Sequence, residues 1–225
     1  MVSLRSLLSR SLRFAFFVAC MVGALAVVAG VSVPAAAQQQ PPATLIGVHL
    51  VTPDFMVFDL KYRVFYNKSE RKTIPLKDYD FARALTDELA NALSDDKTAF
   101  RAPTAEESLF LASYFDPKGK KIQFKKTEGS LPPSVKADRL LLVSVMQYGA
   151  MRMDLGPDKF DIQATLWLLD RNTGQQLWKK GMFERIPLTG KLDALQADNQ
   201  KGLKQGLNDV LEKFARRAKE KMGER

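Results

Sequence analysis

Side chains that commonly perform chemistry are scarce in this chain, which has one histidine, His49, and one cysteine, Cys20. Catalysis by a cysteine–histidine pair and metal binding by imidazole or thiolate need several such residues together. No glycine-rich phosphate loop, Gly-x-Ser-x-Gly or His-Glu-x-x-His sequence occurs. His49 alternates with Leu45 and Val51 in a strand-like stretch, which predicts a structural or solvent-facing role. We therefore expect no catalytic residue, metal or cofactor, and a protein that is not an enzyme.

Carboxylates are the remaining candidates for chemistry. Asp154, Asp158 and Asp161 flank a Gly-Pro turn, but their spacing is not that of an EF-hand calcium loop. The pattern favours turn and capping roles. The alternative is an envelope hydrolase that acts through carboxylates such as Asp154 and Asp161. That alternative requires the carboxylates to cluster in a pocket.

The first 37 residues predict a secretory signal peptide that is cleaved after Ala37. A basic start without acids is followed by an apolar run over 14–33, a proline and three small residues. Two alternatives are an uncleaved membrane anchor, because the run is long enough to span a bilayer, and a lipoprotein acylated at Cys20. We therefore expect a periplasmic protein, with membrane anchoring as the alternative.

Cleavage after Ala37 would remove Cys20 and three of the chain's 34 basic residues, but none of its 25 acidic ones. Without cysteine, the remaining domain must be held by a hydrophobic core rather than by disulfides. A hydrophobic content of 46% and a charged content of 26% are typical of a globular domain. We expect a flexible leader over 38–44 and a single α/β domain over 45–225.

Hydrophobic periodicity divides this domain into strands and helices. Alternating or continuous apolar stretches predict strands at 44–51, 55–66, 140–148, 160–169 and 175–186, with a short strand near 100–103. Apolar residues at 3- and 4-residue steps predict helices at 77–94, at 104–115 with Thr104 and Glu107 as a capping box, and at 195–222. Residues 67–75 read as a polar loop. The order β-β-α-(β)-α-β-β-β-α predicts an α/β fold with a single mixed sheet and helices mainly on one face.

The only two tryptophans, Trp167 and Trp178, flank a hairpin loop at 171–174. Pairing of Asp170 with Gln175 predicts that the two indoles lie opposite each other on the open face of the sheet. The same register places Leu168 opposite Leu177, and Ile162 opposite Phe183, in the core. Local packing is one interpretation of the tryptophan pair. A partner-binding anchor is the other, because tryptophan is enriched in binding hot spots.

The last predicted helix is amphipathic and basic. Its polar side carries Lys213, Arg216 and Arg217 among other cations. A solvated helix face is the plain interpretation, and contact with anionic lipid head groups or an acidic protein surface is the functional one. An exported protein has no nucleic acid to bind, so we expect none as a partner.

Two segments carry a family resemblance. Residues 137–145 read Ala-Asp-Arg-Leu-Leu-Leu-Val-Ser-Val, and the hairpin at 162–178 contains Asp170-x-x-Thr173-Gly174-x-x-Leu177-Trp178. They resemble segments of bacterial envelope proteins that include the curli-secretion lipoprotein, the TolB amino-terminal domain and lipoprotein activators of penicillin-binding proteins. Auxiliary lipoproteins of lipid-transporting ABC systems share a similar strand–hairpin–helix ending. The resemblance implies a periplasmic α/β accessory domain without enzymatic activity.

These observations together predict a non-enzymatic accessory protein that binds a cell-envelope partner, either a protein assembly or lipid-transport machinery. The binding surface would be a sheet edge or an open sheet face, with the candidate residues Trp167, Trp178, Lys213, Arg216 and Arg217. A carrier of lipids or small ligands is the main alternative, and it requires an apolar cavity between the sheet and the helices. The sequence does not indicate an oligomeric state.

Overall fold

The computed structural model describes residues 43–63, 66–116, 135–153 and 155–224. The predicted signal peptide, Cys20 and Asp154 lie outside the described residues. The described strands are β1 (Ala43–Leu50), β2 (Phe55–Arg63), β3 (Tyr66–Ile74), β4 (Ala99–Arg101), β5 (Arg139–Arg152), β6 (Lys159–Asp170) and β7 (Gln176–Pro187). The described helices are α1 (Phe81–Leu93), α2 (Ala105–Ala112), α3 (Leu192–Leu195) and α4 (Ala197–Gly223).

The long strand β5 is the centre of a single mixed sheet of seven strands. Along one edge, β5 pairs antiparallel with β6, which in turn pairs with β7. Along the other edge, β1 pairs parallel with the first half of β5 and β2 pairs parallel with the second half. β4 flanks β1, and β3 flanks β2. The α/β fold class and the single mixed sheet predicted from the sequence are confirmed.

Helices cover the two faces of the sheet unequally. The amphipathic helices α1 and α4 bury their apolar stripes against one face, where Leu85, Leu89 and Phe214 are fully buried. The short helix α2 covers part of the other face through a smaller cluster that contains Leu45, Leu111 and Leu142. Most of the helical packing is therefore on one face, which agrees with the prediction.

The close pairing of β2 with β5 depends on Gly149. A Cβ atom on this residue would lie 2.0 Å from the carbonyl oxygen of Met56, which is its partner in the ladder. Only glycine leaves room for the two backbones at this separation.

Several predicted boundaries differ from the structure; α1, for example, begins at Phe81 rather than at residue 77, and β5 continues to Arg152. The segment 67–75, predicted to be a loop, is mostly strand, because β3 pairs antiparallel with β2 from Tyr66 opposite Arg63 to Ile74 opposite Phe55. An edge strand does not need an apolar face along its whole length, so its polar sequence resembles that of a loop. β1 begins at Ala43, two residues inside the segment predicted to be a leader.

The predicted register of the β6–β7 hairpin is wrong by one residue. Asp170 N–H donates to Gln175 O as expected. A bulge then intervenes, because Leu169 pairs with Gln176 whereas Leu168 pairs with Trp178, which leaves Leu177 as the extra residue. A one-residue shift moves every later side chain of a strand to the opposite face.

Candidate functional site

The edge strand β4 is much shorter than the strand with which it pairs. Its three residues pair only with residues 43–45 of β1. Shortly after Arg101 the chain reaches Pro103, which has no N–H with which to continue a ladder. Residues 46–50 of β1 therefore extend past the end of β4, while their opposite edge stays paired with β5.

A cleft of about 630 Å³ occupies the space beyond the end of β4. Side chains of α1 form one wall, those of α2 form the other, and the C-terminal half of β1 lies between them. Because α1 and α2 cover opposite faces of the sheet, the cleft passes around the sheet edge. Its volume lies within the range of ~300–1,000 Å³ that is typical of ligand sites. Residues in its lining include Val48, His49, Arg83, Asp87, Ser108 and Phe115.

A buried carboxylate joins β4 to the start of α2 and so positions one wall of the cleft. Glu107 accepts hydrogen bonds from Arg101 Nη1 at 2.8 Å and from Arg101 Nη2 at 2.6 Å. It also accepts from the N–H of Thr104 at 2.9 Å, and Thr104 Oγ1 accepts from the N–H of Glu107, which confirms the predicted capping box. The guanidinium of Arg101 is the main reason that the pKa of Glu107 is lowered to about 2.

Gly47 lets α2 lie directly against β1. A Cβ atom on Gly47 would be only 3.1 Å from Leu111 Cδ1 and 3.1 Å from Leu142 Cδ2. The absence of a side chain on this strand residue therefore brings the α2 wall of the cleft close to the backbone of β1.

His49 lies in the cleft with its imidazole stacked on the ring of Phe115, at a centroid distance of 4.9 Å and an angle of 18°. Burial lowers the pKa of His49 below its ordinary value, and the nearby charge of Asp116 acts in the opposite direction. The imidazole is therefore neutral at pH 7. The prediction of a structural or solvent-facing histidine did not anticipate its position in a cleft.

The remaining polar groups of the cleft are suited to recognition. Asp80 caps α1 by accepting from the N–H of Arg83, and Asp87 lies 3.9 Å from the Arg83 guanidinium. The hydroxyl of Ser108 donates to Thr104 O at 2.8 Å. Over the described part of the chain, no hydrogen bond joins His49 to a hydroxyl, so the base–nucleophile contact of a catalytic pair is not formed.

Asp161, which the hydrolase alternative names, and the nearby Asp158 lie outside this cleft and are bonded within the fold. Asp158 Oδ1 accepts from the N–H of Met153 at 2.9 Å, and its Oδ2 accepts from the N–H of Leu192 at 2.7 Å. Asp161 pairs with Arg185 through two hydrogen bonds of 2.8 and 3.0 Å. Among the residues that the structure describes, no group of three or more His, Cys, Asp or Glu residues is arranged to hold a metal ion.

The two tryptophans do not form the predicted pair. Trp167 pairs with Lys179, whereas Trp178 pairs with Leu168 one position away, so the indoles point to opposite faces of the sheet. Trp167 is only 4% exposed, in the cluster that α2 covers, and Lys179 Nζ lies 5.6 Å from its ring centroid. Trp178 is half-buried against the main core. Trp167 therefore does not present an anchor on an open face.

The bulge also changes the face of the sheet on which Phe183 lies. This residue pairs with Gln163 rather than with Ile162, and it is 56% exposed instead of lying in the core. The ring contacts Arg185, whose guanidinium carbon lies 5.5 Å from the ring centroid.

The basic residues predicted to bind a partner lie on α4, away from the cleft. Arg217 forms an ion pair with Glu184 of β7, and Arg216 Nη2 lies 3.3 Å from Glu212 on the same helix. Lys213 is exposed. Their role in binding stays a prediction. No helix in the described ranges combines the length and apolar character that a membrane crossing requires.

The cleft was not identified as a site from the sequence, and His49, the lining residue considered for chemistry, was assigned a structural or solvent-facing role. The sequence feature that could have indicated the cleft is the short strand predicted near 100–103, which is followed at once by the capping box of a helix. A strand of three residues beside one of eight leaves part of the longer strand without a neighbour on that edge.

Comparison of the sequence with protein-family models and with curated proteins finds no match. Among solved structures, a hypothetical protein of Chlamydia trachomatis is 13% identical, covering 82% of this chain and 96% of that one, with a TM-score of 0.47. A DUF330 protein of Xanthomonas campestris is 12% identical, with coverages of 80% and 85% and a TM-score of 0.44. A lipoprotein of Neisseria meningitidis is 14% identical, with coverages of 75% and 99% and a TM-score of 0.36. None of these three is named as one of the envelope families that the sequence resembles, so that narrower resemblance stays a prediction.

Proposed function

We propose that this chain is a non-enzymatic binding protein of the bacterial cell envelope and that it binds its partner in the cleft beyond the end of β4. The observation that carries the proposal is the cleft itself, a concave site between α1 and α2 that reaches the backbone of β1. Concave sites with a few polar groups among apolar ones are where proteins commonly bind ligands.

The arrangement of ionisable groups favours binding over catalysis. Asp161, the described carboxylate of the hydrolase alternative, is bonded to Arg185, and both oxygens of the nearby Asp158 are bonded to backbone N–H groups. In the cleft, the aromatic stack of His49 and the ion pair of Arg83 with Asp87 provide shape and charge but no activated nucleophile.

The lining also favours a macromolecular partner over an apolar ligand. A lipid carrier needs an enclosed apolar cavity between the sheet and the helices. The cleft instead lies at the edge of the sheet, and its walls carry Asp80, Arg83 and Asp87. The leucines between the sheet and the main helices, such as Leu85 and Leu207, are fully buried in a packed core.

The envelope assignment is supported by the N-terminal sequence, whose basic start, apolar run and alanine triplet have the order of an export signal. The absence of cysteine after residue 37 is compatible with an oxidising compartment, because the mature chain then has no free thiol that could be oxidised. We expect the mature protein in the periplasm, with the basic residues of α4 available to a second surface such as anionic lipid.

The test is site-specific photo-crosslinking in living cells that express the full chain with its own N-terminus. A photoreactive amino acid replaces Ser108 in the cleft, and the matched control carries it at the neighbouring Leu109, which is 79% exposed and outside the cleft. The expected result is a discrete adduct from position 108 only, in the periplasmic fraction. Equal labelling from both positions, no adduct, or a cytosolic protein with an intact N-terminus would contradict the proposal.

A further inference from the structure

The edges of the described sheet differ in how they are protected against pairing with another chain. β7 carries Lys179 and Lys180 in its middle, has a bulge at Leu177 and ends at Pro187. β3 has four charged residues among its nine. Lysines, bulges and prolines are the usual devices that prevent strand addition at a sheet edge. The outer edge of β1 beyond β4 reads Ile-Gly-Val-His-Leu and has none of them.

Backbone groups of β1 point into the cleft at this edge. The N–H of Val51 donates to Val145 O, and the carbonyl of Ala43 accepts from the N–H of Asp138, so odd-numbered residues bond toward β5. Successive residues of a strand direct their N–H and C=O groups to opposite edges. The N–H and C=O groups of Val48 therefore point away from β5 into the cleft, past the last β4 residue that pairs with β1.

The two walls match the alternating side chains of an extended chain. A strand added beside Val48 would direct every second side chain toward α1, where Ala82 and Thr86 lie. The intervening side chains would point toward Leu111 and Phe115 on the other face of the sheet. Both walls are small or apolar at these positions, so each accepts an apolar side chain.

The charge of the cleft is opposite in sign to that of the whole protein. The chain has a formal net charge of +9. The cleft is lined by two carboxylates, Asp80 and Asp87, and by the single guanidinium of Arg83. Asp116 adds to this field, since its charge acts on His49. A partner with basic side chains is therefore favoured over an acidic one.

From these observations we infer that the occupant of the cleft is an extended, basic and apolar segment of a partner protein, which adds to the outer edge of β1 as a further strand. The inference rests on the proposed function and names the partner's chemistry. Main-chain hydrogen bonds to Val48 supply affinity, and the two walls and the carboxylates select the side chains.

The test begins with a phage-displayed library of random eight-residue peptides. The library is selected on the full chain and counter-selected on Ser108→Trp, which fills the cleft from an exposed position. Leu109→Trp is the matched control, because it adds the same ring one residue away, outside the cleft. Selected peptides are expected to combine apolar residues with Lys or Arg, to lose binding to Ser108→Trp and to keep it with Leu109→Trp. Asp87→Asn is expected to weaken binding by about two- to fivefold.

The decisive measurement uses two N-methylated versions of one selected peptide, with methyl groups at even or at odd positions. Only one set of amides faces β1 in an added strand, so one version is expected to lose about tenfold or more in affinity while the other changes little. Equal binding of both versions, a lack of peptides that depend on the cleft, or dimerisation that Ser108→Trp abolishes would overturn strand addition by a partner. A partner adduct from position 108 combined with any of these results would leave the proposed function standing and refute only the strand.

Discussion

The contact between Glu107 and Arg101 provides a direct test of how the α2 wall of the cleft is held. Glu107→Gln keeps the size of the side chain and removes its charge. The pKa of Glu107 is lowered from 4.5 to about 2, mainly by Arg101. At ~1.36 kcal/mol per pKa unit, this shift sets an upper bound of about 3 kcal/mol on the stabilisation. The Arg101 side chain is one-third exposed, and solvent screening reduces the expected loss to about 2 kcal/mol.

The assay is urea unfolding of the domain, followed by circular dichroism at pH 7 and at pH 3. Because the folded pKa is below the unfolded one, the carboxylate stabilises the fold fully above pH 4.5, and this stabilisation is lost as the pH falls toward 2. The difference between wild type and Glu107→Gln should therefore be about 2 kcal/mol at pH 7 and much smaller at pH 3. The exposed neighbour Glu106 serves as the control, and Glu106→Gln should change stability by less than about 0.5 kcal/mol. An equal effect of the two substitutions, or a difference that does not depend on pH, would refute the reasoning.

Three further outcomes are expected. Gly149→Ala should destabilise the domain by about 3 kcal/mol or more in urea unfolding, because its Cβ would lie 2.0 Å from the carbonyl oxygen of Met56. Gly181→Ala is the control and should be nearly neutral, because a Cβ there would have nothing within 4 Å. Similar values for the two variants would count against the close approach of β2 and β5. In single-tryptophan variants, acrylamide should quench Trp167 much less than Trp178, and equal quenching would contradict the observed register. Addition of Ca²⁺ should leave the melting temperature unchanged, since the buried carboxylates are already bonded to backbone and arginine groups; a rise of several degrees would show that they bind the ion.

Local signals in the sequence predicted the helices well. Phe81, Leu85, Leu89 and Leu93 recur at the helical period, and all four are buried in α1. The capping box at Thr104 predicted the start of α2 at the correct residue. These features depend on residues within one or two turns of each other, so the sequence alone contains the information that determines them.

Features that depend on strand pairing were predicted less well. The hairpin loop at Asp170 forms as expected, with its carboxylate accepting from the N–H groups of Asn172 and Thr173. The bulge at Leu177 leaves no compositional mark, because it changes only the number of residues opposite a partner strand. The cleft likewise leaves no compositional mark in the sequence, because it forms where β4 stops pairing with β1.

The position of β5 determines how the domain unfolds. The strands beside the cleft and the β2–β3 hairpin occupy successive stretches of this one strand, while β6 spans nearly all of it on the other side. Neither β1 nor β2 can separate from the sheet without breaking hydrogen bonds to β5, and β6 holds both halves of β5 together. The domain should therefore unfold as one cooperative unit whose slowest-exchanging amides lie in the middle of β5.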